Sequence, residues 1–349
     1  QHDVEQGFPF LPSGCEIVMD KQSQQLVLEN IRSQVANRWR DMVAELRSYG
    51  EQSLATFLEE SGLELADILR QGRSSWTQLR RDADLPTESG SVMEERLLKR
   101  IRAFAHVDDP DRAEGYRRVL NIGFSTSGLN PRDRRLAQML FFSLWPDGGG
   151  FTDIESGLVA LRTEPAVRDE LRSVVDISFD GARQVSLPLR GALDDVPLRV
   201  HARYQREEVL AALGYASLQR KPNSFREGVL YVPELNVDAF FITLRKSEAD
   251  YSPTTTYADY PISPTLFHWE SQSVTTVATK TGQRYVNGTG TVLLFVREEQ
   301  KNEFGTSPYL FLGPASYVEH RGERPIAITW QLEHAMPTDF FAGAAVAAG

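Results

Sequence analysis

The hydrophobic period of this 349-residue chain changes once, near Ser178, and that change limits the folds open to it. Before it, apolar residues recur every three or four positions. Val27, Ile31, Val35, Trp39, Met42 and Leu46 form one face of a helix within 22–48. Ser53 caps a second helix carrying Leu54, Phe57 and Leu58, and Gly62 ends it. Leu65, Ile68 and Leu69 make a third, stopped near Gly72, and Leu97, Ile101 and Phe104 mark another over 92–105. Asn130-Pro131 is a cap with a first-turn proline leading into Leu136, Met139, Leu140 and Leu144. Thr152 and Glu155 have capping-box spacing, and Pro165 opens a helix with Val167, Leu171, Val174 and Val175.

After Ser178, β-branched and aromatic runs take over, broken by Pro and Gly. Candidate strands are 228–232, 239–244, 291–296, 308–312 and 325–332. In the last, Ile326, Ile328, Trp330 and Leu332 share one face, with Thr329 and Gln331 on the other. One short helix, 206–213, interrupts and stops at Gly214. The expected fold class is therefore α+β: a helical N-terminal part, then a β-rich part built as a mostly antiparallel sheet or small barrel. The expected divisions are a linker over 1–20, a helical domain over 21–177, a β-rich domain over 178–340 and a flexible Ala-Gly tail over 341–349. No fixed repeat period supports a solenoid.

Charge narrows the function classes. The chain carries 38 basic and 48 acidic residues, net −10, of which residues 201–349 hold 13 and 16. Neither part is basic enough to coat nucleic acid by charge alone, though a local basic groove stays open as a reading. One cysteine, Cys15, permits no intrachain disulfide and fits a cytoplasmic protein. No run of 18 apolar residues marks a membrane helix, so no membrane partner is expected. Asn287-Gly288-Thr289 reads as a turn.

Several chemistries lack their motifs. There is no phosphate loop, no G-x-G-x-x-G, no H-E-x-x-H, no C-x-x-C and no G-x-S-x-G. No ATPase motif, catalytic residue, cofactor or metal ligand is assigned, and the chain reads as non-catalytic.

The densest unusual stretch is 251–272, and 282–285 follows a few residues later. Tyr257, His268, Trp269, Gln272, Gln283, Arg284 and Tyr285, with Lys246 just before, combine aromatic faces, amides and cations. As a nucleic-acid surface, Trp269, Tyr257 or Tyr285 stacks on a base, Arg284 and Lys246 hold phosphates, and Gln272 or Gln283 reads a base edge. The bland alternative is a loop whose aromatics pack into a small β core. A hydrolase reading draws on His201, His268, His320 and His334 with Asp238, Asp259 and Glu270, at spacings that match no ligand motif. Arg203, Arg206 and Lys221 form either a basic rim or a solvated face balanced by Glu207 and Glu208.

The blocks Arg203-Tyr204, Glu207 to Gly214, Asp238 to Ser247, Ser252 to Tyr260, Phe267 to Ser273, Thr281 to Tyr285, Leu294 to Arg297 and Phe311 to Gly313, taken in order, carry a resemblance. So do Tyr317, Pro325 and Trp330 beyond them, and Leu11 to Cys15, Glu29 to Ile31 and Ser75 to Leu79 upstream. The chain resembles the uncharacterised C-terminal region of bacterial DEAD/DEAH-box superfamily 2 helicases, which often carry a phospholipase-D-like nuclease domain in front. The resemblance implies that residue 1 follows a helicase motor. It also implies a bacterial cytoplasmic setting, work on DNA more than RNA, and a defence or restriction role. It transfers no catalytic residue. Three functions follow as expectations: an accessory region gripping nucleic acid, which can be modified or branched; a metal-dependent nuclease or hydrolase on His268, Glu270 and Asp238; and a scaffold docking on the motor.

Overall fold

The computed structural model describes residues 38–70, 74–121, 126, 128–245, 259–272 and 274–348, which fall into two compact units. The first comprises described residues 38–63 and 77–87. Its helix over 38–49 buries Met42 and Leu46. The helix Leu54–Ser61 adds Leu54 and Phe57, and Leu79 and Ala83 complete this small core. Ser53 is the expected cap, its hydroxyl accepting from the Thr56 N–H, and Gly62 takes the left-handed conformation that ends the helix. Asp82 accepts from the Trp39 indole at 2.8 Å, and Arg47 pairs with Asp84 at 2.7 Å. The early members of the first predicted face, Val27, Ile31 and Val35, lie outside the described residues.

The second unit, 64–76 and 88–349, holds both helices and sheet. Asn130 caps the helix Pro131–Leu144, its side chain accepting from the Asp133 N–H, with Pro131 in the first turn. Pro165 opens Pro165–Asp180. The expected capping box at Thr152 is displaced by one residue. Asp153 is the cap of Ile154–Ala160, accepting from the Ser156 N–H at 2.7 Å, because its carboxylate reaches the helix N-terminus better than the Thr152 hydroxyl.

The strands, in chain order, are β1 Leu187–Pro188, β2 Arg199–Val200, β3 Arg203–Tyr204, β4 Val229–Val232, β5 Val237–Thr243, β6 Tyr260–Ser263, β7 Leu266–Glu270, β8 Thr291–Arg297, β9 Lys301–Asn302, β10 Gly305–Thr306, β11 Tyr309–Arg321 and β12 Ala327–Leu332. Among the described residues the main sheet runs β4-β5-β8-β11-β12-β7-β6, with β3 added on β11. All its pairings are antiparallel except β5 with β8. β5 is buried along its whole length, as a strand covered on both faces requires.

This sheet is curled, though not closed. β5 and β7 stand four steps apart in the order, which in a flat sheet is roughly 19 Å at about 4.8 Å per step. Yet Phe240 of β5 stacks on Trp269 of β7 at 4.2 Å. The concave face encloses Phe240, Phe267, Trp269, Leu294, Leu312 and Trp330, with Tyr285 and Phe340 contributed by helices. On the convex face Phe241, Phe295 and Phe311 stack in sequence, Phe295 and Phe311 at 4.5 Å. β11 extends far beyond the expected 308–312. Gly313 does not break the strand but bends it: its φ is +97°, and a Cβ there would meet the Val200 methyls at 3.0 Å. The expected tail from residue 341 is instead helical, within Thr338–Ala348, with Phe340 and Ala344 in the core. Among the described residues no helix is long and apolar enough to cross a membrane.

Candidate functional site

The expected contact surface over 251–285 is divided by the sheet. Lys246 and Tyr257 lie outside the described residues. The remainder is not one loop, because 260–270 forms the β6-β7 hairpin, and strand alternation then sends neighbouring side chains to opposite faces. Trp269 points into the concave core and is 5% exposed. His268 is on the other face, stacked on Tyr260 at 4.7 Å, with Glu270 4.0 Å away. Trp269 therefore has no face free for a base, a correction to the stacking expectation. Gln272 is exposed beyond the end of β7.

The short helix Lys280–Val286 carries the other three. Thr279 caps it, and Gly282 sits so close to the Thr276 carbonyl that a Cβ would stand 2.0 Å from the oxygen. This tight seat orients the last turn. Gln283 faces out but has both ends of its amide engaged, donating to the Val277 carbonyl and accepting from Asn287. Tyr285 points inward, with its ring edge-on to Phe240, Trp269 and Trp330. Tyr285 is thus a core aromatic, and its expected stacking role is likewise corrected.

Arg284 turns toward the first residues of β5. Its Nε and Nη2 donate to Asp238 at 2.6 and 2.8 Å, and its guanidinium lies 3.6 Å from the centre of the Tyr231 ring. The hydrogen bond to Asp238 holds the guanidinium in its charged form. Burial pushes the Asp238 carboxyl up from its ordinary range, against the opposite pull of Arg284. Burial and the Asp238 charge raise the Tyr285 phenol. Among the described residues Nη1 of Arg284 has no hydrogen bond.

Beside this pair is a pocket of about 430 Å³, lined by Asp238, Arg284, Tyr285, Asn287, Gly288, Ser316, Tyr317 and Trp330 among others. It lies where parallel β5 and β8 begin. Asn236 fixes its rim, donating to the Thr289 carbonyl and accepting from the Thr291 N–H on its own carbonyl. Trp330 is 1% exposed, and its indole N–H finds no acceptor among the described residues. A buried donor left unmade costs about 1–3 kcal/mol. The pocket is lined by the Arg284 guanidinium, the Asp238 carboxyl and three aromatic residues, Tyr285, Tyr317 and Trp330, while the unmet Trp330 donor is itself buried.

Two other groupings are less open. The hydrolase set does not converge. Asp238 shares the concave parity of Phe240, while His268 and Glu270 share the opposite parity to Trp269. A roomier cleft of about 700 Å³ includes Asp108, Arg203, Arg297, Glu298, Glu299 and Asp339. Several of its charges have partners: Arg203 pairs with Asp108, Arg297 donates to Thr243 and Ser307, and Glu299 pairs with Arg245.

Asp238 and Arg284 are separate candidates in the sequence, and Trp330 falls on a core face there; the pairing exists only in the fold. The adjacency follows from the parallel β5-β8 pairing, for which no local motif exists. Arg203, from the suggested basic rim, is drawn into an ion network under the sheet. There Arg112 is completely buried. Its Nη1 donates to Glu208 at 3.0 Å, its Nη2 to Asp108 at 3.0 Å and its Nε to Asp109. Tyr116 and His106 close on Glu208 at 2.8 and 2.6 Å. Burial alone would raise the Glu208 carboxyl, but Arg112 and His106 beside it bring it down to about 2.

Residues 198–343, less than half of the chain, match a family model described as a domain of unknown function, DUF3427. The matched segment contains the curled sheet and the pocket, together with Glu208 but not Arg112. A search of curated proteins finds no match.

Proposed function

We propose that this chain is the C-terminal accessory region of a bacterial superfamily 2 helicase, and that its curled sheet binds nucleic acid, DNA in preference to RNA. The observation that carries the reading is the pocket at the start of β5 and β8, which the Arg284 guanidinium lines beside the Tyr317 ring. Elsewhere in this unit the buried cation Arg112 is fully used within the fold. The net charge of −3 over residues 201–349 favours binding through such specific contacts over charge-driven coating. The helicase setting, and with it a role in defence or restriction, rests on the ordered sequence blocks, most of which fall inside 198–343.

The test is fluorescence anisotropy of the 349-residue chain with single-stranded DNA, duplex DNA and RNA at two salt concentrations. Saturable binding with a shallow salt slope and a DNA preference is expected. Absence of binding to every probe at low salt would refute the reading.

A further inference from the structure

We infer that His201 and His334 form a proton-operated latch on the C-terminal helix Thr338–Ala348, closed while His201 is neutral and released when His201 takes up a proton. The latch is independent of what the sheet binds.

His201 stands in the turn between β2 and β3, with a φ of +71°, a left-handed backbone uncommon outside glycine. Its N–H donates to the Phe311 carbonyl of β11 at 2.7 Å, which ties the turn to the sheet. Its ring centre lies 6.5 Å from that of His334, edge to face at 76°. The ring donates to the Ala335 carbonyl, and its Nε2 is buried with no partner among the described residues. The donor is therefore Nδ1, and Nε2 carries the lone pair of a neutral ring. Protonation would place on Nε2 an N–H with no acceptor and a charge that water does not reach. The charged ring gains water only by swinging out, which takes Nδ1 away from Ala335.

Ala335 lies in the short connection from β12 to the helix. Glu333 donates its N–H to Pro314 and Met336 to Pro264, and Met336, Phe340 and Ala344 then enter the concave core. Freeing Ala335 therefore loosens the root of a helix whose own apolar residues complete that core. The charges nearby do not offset a proton on His201. His334 is a second titrating ring, with Glu333 3.9 Å from its Nε2, and Arg190 lines the same side with both. On the turn itself Arg199 pairs with Asp111 and Arg203 with Asp108. β11 meets the turn with Phe311 and Gly313, which do not titrate. Burial, and after it the His334 charge, hold the His201 imidazole below its ordinary value. A lowered value means that the contribution of the neutral ring is whole above the unfolded value, roughly 6.5, and is lost as pH falls below it.

The test is amide hydrogen exchange of the 349-residue chain, read by mass spectrometry at about pH 7.5 and about pH 5.5 and corrected for intrinsic rates. His201→Asn removes the proton site and keeps a residue that tolerates left-handed backbone. Near-UV circular dichroism and the urea midpoint at the higher pH show whether this variant is folded. If it is not, His334→Gln decides, because it leaves His201 in place and removes the neighbouring charge.

In the native chain at the lower pH, residues 333–348 are expected to lose protection by up to about tenfold, the limit for one proton over this range, while β5 and β8 keep theirs. His201→Asn should show no such loss, and His334→Gln a smaller one. Unchanged protection in the native chain overturns the latch. A loss shared equally by β5 and β8 also overturns it, because that is global unfolding. A loss that persists undiminished in the folded variant overturns it as well, because the titrating group then lies elsewhere.

Discussion

Two arginine–carboxylate centres lie in the larger unit, and they are built to opposite ends. Arg112 is sealed: Asp108, Asp109 and Glu208 take its nitrogens, and Tyr204 covers it at 4.0 Å. Arg284 has one carboxylate and two rings, Tyr231 at 3.6 Å and Tyr285 at 5.8 Å, and among the described residues its Nη1 has no hydrogen bond. The first centre ties helix Pro110–Asn121 to the start of the family-matched segment through Glu208. The second lines a pocket at the start of β5 and β8. Saturation separates a structural ion pair from one able to bind. Sequence cannot make that distinction: Asp108 and Asp109 lie within about a turn of Arg112, but Glu208, which closes that centre, and Asp238, which holds Arg284, are distant.

The comparison predicts unequal costs. Arg112→Met leaves Glu208 and Asp109 buried without their cation and should destabilise the chain by about 3–5 kcal/mol. Arg284→Met should cost less, about 1–3 kcal/mol, because a single buried carboxyl, Asp238, loses its partner, and burial already favours its neutral form. Urea denaturation of both variants checks this, and equal losses would break the comparison. By the same reasoning residues 198–343 expressed alone keep Glu208 without Arg112, and should give a less cooperative, weaker transition than the 349-residue chain.

Trp269 separates what the sequence shows from what only the fold decides. Strands rich in Phe, Val and Ile, such as 239–244 and 291–296, are legible because they are buried on both faces and need no partner to be recognised. The capped helices are legible for a similar reason, since cap and first-turn residues act over one turn of chain. The segment 260–270 is less so. Its alternation of Phe267 and Trp269 with His268 and Glu270 is a strand pattern, but hydroxyls and prolines around it read as loop. Parity then reverses the role of Trp269, from surface stacker to core. Trp269→Ala should therefore destabilise by about 3–5 kcal/mol, removing the ring that meets Phe240 and Tyr285. A folded variant with native stability and weakened DNA binding would restore the surface role. The pocket itself was illegible because Asp238, Arg284 and Trp330 come together only through the curl and the parallel β5-β8 pair.

Acid should act on the sealed centre first. The Glu208 carboxyl is held at about 2, against roughly 4.3 in an unfolded chain. A depressed value means that its contribution is whole above the unfolded value and is lost as pH falls toward 2. The expected loss is on the order of 3 kcal/mol between about pH 5 and pH 2. Asp238 has the opposite sign, raised by burial, so its protonation does not add to this loss. Stability measured by urea across that range should fall in the native chain and somewhat more steeply in Asp238→Asn, which lacks the opposing titration. A flat profile in the native chain would mean that Glu208 is not held as a charged partner of Arg112.

The smallest effect tests the covering rings. Tyr204 is fully buried over Arg112, and its hydroxyl also accepts from the Arg199 N–H at 2.8 Å. Tyr231 is 37% exposed on edge strand β4, so it contributes its attraction for the Arg284 cation, the water it displaces and a 3.3 Å hydrogen bond from its hydroxyl to Asn236. Tyr231→Leu keeps strand propensity and bulk, and should cost about 0.5–1 kcal/mol. Its more telling effect is on Arg284, which loses the surface that holds it flat against Asp238. If the open centre binds through a positioned guanidinium, Tyr231→Leu should weaken DNA binding more than it weakens folding. If it weakens folding alone, Arg284 is held by Asp238 without help, and the second centre is closer to the first than its open nitrogen implies.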